Sequence, residues 1–179
     1  MSKSKFDVKS WVKKYFGLRS TDKTLDNANN SLEFIWVWAI FEHKYLRDSR
    51  DFKKYNDQLI DISAKFPIKK IDIDTMYGFL HKRYFQKGKT TRFFANLNFD
   101  NKWLKLTKAI LRKQNPTPEE KLKFILLVLF KFRCNLFHGR KDPLLWKNFN
   151  EVFYYINKFL ADFLDVKWKN QTTYIRVKY

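Results

Sequence analysis

A chain of 179 residues with 45% apolar content can fill one hydrophobic core, and its 4 Gly and 4 Pro are too few for the many turns of a sandwich or barrel. The 37 Lys and Arg against 18 Asp and Glu set a formal charge of +19, which argues against cationic partners and favours polyanions, nucleic acid first and an anionic membrane surface second. Cys134 is the single cysteine, so an internal disulfide and a cysteine-built metal site are both excluded.

The expected fold class is all-α. Residues 1–179 read as one domain, a bundle of five or six helices. A plainer account of the charge, a uniformly lysine-rich surface, stays open beside nucleic-acid binding. Met1-Ser2-Lys3-Ser4-Lys5 lacks the apolar run of a signal peptide. The longest apolar runs, Phe34 to Phe41 and Phe124 to Phe130, fall short of the ~20 residues that span a bilayer. The expectation is a soluble cytoplasmic protein with no membrane partner.

Residues 1–29 are polar and Lys-rich. Val8, Trp11, Val12, Tyr15 and Phe16 recur there at helical spacing, with Asp7 as a candidate cap. Asp26 to Ser31 reads as a loop ending in an N-cap. From Leu32 to about Leu46 the chain is apolar almost all round, which predicts a helix buried on most faces. Glu42 and His43 lie within it and need partners.

Residues 50–65 predict an amphipathic helix, with Phe52, Tyr55, Leu59, Ile62 and Phe66 on one face and Pro67 as its stop. Ile68 to Ile73 reads as a loop or short strand. A helix over 74–86, opened by Asp74 or Thr75, precedes a turn at Gly88 to Thr91. Residues 100–113 predict a helix with Trp103, Leu104, Leu106, Ile110 and Leu111 on its apolar side. Lys102, Lys105, Lys108 and Arg112 form a basic stripe on it, which is either a solvated face or an RNA contact.

Thr117-Pro118-Glu119-Glu120 is a strong helix start, with an N-cap, a Pro at the first position and a Glu placed for a capping box. The helix should run to near His138, where Gly139 suits a C-cap and Pro143 prevents continuation. A last helix covers roughly Leu144 to Leu164. The tail, 166–179, reads as a short strand or an ordered extension.

The helix ending at His138 changes character in its last turns. Arg133, Asn135 and His138 stand among Phe132, Leu136 and Phe137. Asn135 and His138 share a helical face. Arg133 lies about 140° from His138 on an ideal helix, a gap that a long side chain or a loosened last turn can close. These residue types suit RNA cleavage without a metal, in which the 2′-OH attacks the adjacent phosphorus. His138 can move the proton, because its pKa lies near neutrality. Arg133 can hold the phosphate and stabilise the transition-state charge. Asn135 can orient a phosphate oxygen or the imidazole. The helix C-terminus favours a protonated His138, hence a general-acid role.

Arg133-Cys134-Asn135-Leu136-Phe137-His138-Gly139 closely resembles the RxxxxH signature of the HEPN superfamily. Phe34 to Phe41 resembles the Trp-rich first core helix of many bacterial members. Residues 79–97, with Arg83-Tyr84-Phe85 and Arg92-Phe93, look like the family's middle segment, so the resemblance covers roughly 32–165. It implies a helical bundle that forms a homodimer with a composite site, and metal-independent cleavage leaving a 2′,3′-cyclic phosphate, with no cofactor. The catalytic pair carried over is Arg133 and His138, with Asn135 at a commonly polar position. Glu42 resembles a polar residue that some members direct to the site from the first helix.

Members are often toxins of toxin–antitoxin modules or antiviral, abortive-infection effectors. The expected partners are therefore RNA (tRNA or another structured or single-stranded RNA) and an antitoxin or defence-system protein. Some members keep the fold without activity, which leaves a helical RNA-binding or regulatory protein as the alternative. Members silenced through a Tyr just after the His are not matched, since Gly139 and Arg140 follow here.

Arg140 and Lys141 adjoin the motif and rank above the Lys102, Lys105, Lys108 and Arg112 stripe for phosphate binding. Lys82, Arg83, Lys87, Lys89 and Arg92, interleaved with Tyr84 and Phe85, are a further RNA candidate in which the aromatics either stack on bases or sit in the core. Cys134 reads as a small buried hydrophobe, and His43 and His81 as structural or surface residues.

Overall fold

Local chemistry sets several of the helix starts among the described residues. The structure, a computed structural model, describes Arg19 and residues 29–46, 52–137 and 149–166. Helix α1 spans Asn29–Tyr45, α2 Phe52–Lys65, α3 Ile73–Tyr84, α4 Arg92–Ala95, α5 Asn101–Arg112, α6 Pro118–Phe137 and α7 Asn150–Asp165. The described chain is mostly helical, as the turn-poor composition requires, and α4 is a single turn beyond the helices expected. The predicted helix at Val8 to Phe16, residues 144–148 of the last predicted helix and the tail beyond Val166 lie outside the described residues.

The capping box at the start of α6 forms as the spacing predicts. Glu120 N–H donates to Thr117 Oγ1 at 3.2 Å, and Thr117 N–H donates to Glu120 Oε2 at 2.8 Å. Lys113 Nζ adds two contacts of 2.9 Å to the same carboxylate. Those bonds, Lys113 first, hold the Glu120 carboxyl below its usual range. Asp100 caps α5 through Trp103 N–H at 3.3 Å.

Three boundaries differ from expectation. α1 begins at Asn29, so Asn29 to Ser31 are helical. α3 is capped by Asp72, whose Oδ1 accepts from Thr75 N–H at 3.0 Å, and therefore starts ahead of Asp74. It also stops at Tyr84. Phe85–Gln86 instead pairs antiparallel with Lys89–Thr90 as strands β1 and β2, through a turn in which Lys87 and Gly88 both have positive φ. That turn matches the twist of a hairpin and favours glycine at its second position. The stretch read as a loop or strand after Pro67 is a short 3-10 helix, Ile68–Lys70, closed by Lys70 N–H to Pro67 O at 3.1 Å.

α6 is the central element. Phe124 through Phe130 are all buried, and the helix packs against α2, α3 and α5. α1 and α7 lie side by side and run the same way. Asn157 Nδ2 donates to Asn30 O at 2.8 Å near one end, and Lys44 Nζ donates to Leu164 O at 2.7 Å at the other. Phe34 meets Phe153, and Phe41 meets Phe163, between them.

The expectation that the first core helix is buried on most faces is corrected. Phe34, Trp38 and Phe41 are buried, but Leu32, Trp36 and Ile40 are 50%, 73% and 53% exposed. Their spacing of four puts the three on one face. Among the described residues, α7 and α6 cover the opposite side. Among the described residues no helix is long and apolar enough to cross a membrane.

Candidate functional site

The last turns of α6 carry Arg133, Cys134 and Asn135, and each is held differently. Arg133 points toward α1. Its NH2 group donates to Glu42 Oε2 at 3.2 Å. The same carboxylate oxygen accepts from Trp38 Nε1 at 2.8 Å, and Trp38 is itself buried between Phe34, Phe41 and Phe130. The core thus anchors the carboxylate, and the carboxylate anchors the guanidinium. The Arg133 and Glu42 side chains are 19% and 24% exposed. The guanidinium also lies 5.0 Å from the centroid of the half-exposed Phe137 ring, a cation–π contact. Its Nε is buried and makes no hydrogen bond.

Asn135 is turned inward, away from solvent, and is 4% exposed. Its Nδ2 donates to Asn96 O at 3.0 Å and Leu97 O at 3.4 Å. The side chain expected to orient a phosphate oxygen or the imidazole thus gives its amide nitrogen to the turn that follows α4. Burial pushes the Cys134 thiol up, with Arg133 and Lys131 opposing the shift. A protonated, half-buried thiol is a poor nucleophile, consistent with a packing role.

His138, Gly139, Arg140 and Lys141 lie outside the described residues. The basic stripe on α5 is partly exposed. Lys102 makes a 3.4 Å ion pair with Asp57 and stands over the Trp103 ring at 4.4 Å. Lys105 and Arg112 are exposed and Lys108 is half-buried. In the other basic segment Tyr84 is buried, its hydroxyl pushed up to about 12 by desolvation with partial relief from the neighbouring Arg83, and Phe85 is half-buried. His81 faces the Leu111 carbonyl at 3.2 Å between the Tyr77 and Phe85 rings. Among the described residues no three His, Cys, Asp or Glu side chains gather to hold a metal ion.

Neither Trp38 nor Phe137 was singled out by the sequence, yet both signals are present in it. Trp38 and Glu42, like Arg133 and Phe137, are four apart on one helix and must face each other. No protein-family model, curated protein or solved structure matches this chain. The assignment of a function therefore rests on the motif and on this geometry.

Proposed function

We propose that this chain is a HEPN-type, metal-independent endoribonuclease that cleaves RNA by 2′-OH attack, leaving a 2′,3′-cyclic phosphate. The observation that carries the reading is the setting of Arg133. A guanidinium at the end of a core helix is held by Glu42 and Phe137, partly shielded from water yet open, five residues before His138. In such a setting a bidentate grip on a phosphate is stronger than in bulk water. His138 transfers the proton, and the net charge of +19 draws RNA in. The exposed stripe Leu32, Trp36 and Ile40 supports the pairing of two copies, and with it a composite site. A toxin or antiviral role, with an antitoxin or defence-system partner, completes the proposal.

Cleavage of labelled RNA in EDTA tests it, with wild type set against Arg133→Ala and His138→Ala and the product ends mapped. Equal cleavage by all three proteins would sink the site. One observation favours the second reading, a catalytically inactive RNA-binding or regulatory protein: Glu42 already neutralises Arg133. That reading predicts tight, salt-sensitive RNA binding and no products under any condition.

A further inference from the structure

Two residues away from the catalytic proposal carry an arrangement that folding alone does not require. Arg83, in the last turn of α3, has its Cζ 4.6 Å from the Phe93 ring and 5.8 Å from the Phe149 ring. Its Nε is buried and makes no hydrogen bond. Among the described residues Arg83 pairs with no carboxylate, and neither do its basic neighbours Lys82 and Arg92. Phe93 is 53% exposed, while Phe94 beside it is 1% exposed and fills the core. The hairpin fixes this geometry, because Thr91 N–H donates to Tyr84 O at 2.9 Å and Thr91 Oγ1 donates to Arg83 O at 2.9 Å. These bonds tie the start of α4 to the end of α3, so that an open ring stands beside a cation with no carboxylate partner among the described residues.

The arrangement adjoins the end of α6. Asn96, one helical turn after Phe93, is the residue whose carbonyl holds Asn135. Phe149, under Arg83, packs edge-on against Phe132, the neighbour of Arg133. An exposed aromatic face next to a guanidinium that meets no carboxylate among the described residues matches what a splayed-out nucleobase and its phosphate need. An apolar protein partner would use the ring but not the charge.

We propose that Phe93, backed by Arg83, is the stacking platform for one unpaired base of single-stranded RNA bound across the Arg133 end of α6. This rests on the RNA reading of that site, and it names the substrate as unpaired RNA in place of duplex. Fluorescence anisotropy of the full chain tests it with three probes: a labelled 2′-O-methyl oligoadenylate, its duplex with 2′-O-methyl oligouridylate, and an abasic strand of equal length. The 2′-O-methyl group blocks cleavage, so binding is read apart from chemistry.

Phe93→Ala should weaken binding of the oligoadenylate by about 5- to 100-fold. It should leave the duplex and abasic strands unchanged. Phe93→Trp should bind the oligoadenylate like wild type, and Phe93→Leu like Phe93→Ala. Unchanged binding by Phe93→Ala, equal losses on all three probes, or full rescue by Leu, as an apolar protein-docking ring would give, each overturns the platform. Wild-type cleavage in EDTA with unchanged Phe93→Ala binding removes the platform alone. A selective Phe93→Ala loss without wild-type cleavage removes the nuclease alone.

Discussion

Replacing Glu42 by Gln isolates the link between the core and Arg133. The Gln keeps the volume and an oxygen that can still accept from Trp38 Nε1, whose bond is 2.8 Å. What is lost is the negative charge beside Arg133, together with the 3.5 Å contact to Oε1, where an amide donor would face the guanidinium, while the oxygen shared with Trp38 can still accept from it. Hydrogen bonds to charged groups contribute about 1.5–3 kcal/mol. With about a fifth of each side chain exposed, solvent screening lowers the expectation to about 1–2 kcal/mol. For a domain of this size that is a drop in Tm of roughly 2–8 °C. Urea unfolding of wild type, Glu42→Gln, Arg133→Met and the double variant closes a double-mutant cycle. The expected coupling is about 1 kcal/mol, reduced by added salt. Coupling under about 0.3 kcal/mol would refute the idea that Glu42 anchors Arg133.

Asn135→Leu removes both bonds to the 96–97 turn and should cost about 1–3 kcal/mol, with faster amide exchange at Leu97; unchanged stability and exchange would show that the turn holds without Asn135. The Glu120 carboxyl is held below its ordinary value of 4.5, so it adds stability above that pH that fades as pH falls through the folded value. Thermal melts of Glu120→Gln and wild type should therefore converge in acid; a constant gap contradicts the ion-paired capping box. Tyr84 titrates in the opposite sense. Its folded pKa of about 12 exceeds the free value of 10.0, so stability is full below pH 10 and declines as pH rises toward 12. Tyr84→Phe should flatten that alkaline slope in denaturant titrations. Trp36→Glu, at a site 73% exposed, should leave the Tm nearly unchanged and convert a dimer to a monomer by light scattering; a monomeric wild type would remove the pairing surface from the proposal.

Much of the fold was legible because it depends on chemistry within one helical turn. The capping box of Thr117 and Glu120, the stop at Pro67 and the buried run Phe124 to Phe130 need no information from elsewhere in the chain. The Trp38–Glu42 and Arg133–Phe137 contacts belong to the same class, as spacings of four on a helix. Other features came only from packing. Glu42 and Arg133 are 91 positions apart, and Asn135 and Asn96 are 39 apart, so no local spacing brings either pair together. Composition cannot separate Phe93 from Phe94, or Trp36 from Trp38, since each pair has the same hydrophobicity. Which ring enters the core is decided by where α7, α6 and the hairpin lie against it. The six-residue motif could thus name Arg133, but only the tertiary structure decided that Glu42 holds it and that Asn135 is bound to the 96–97 turn.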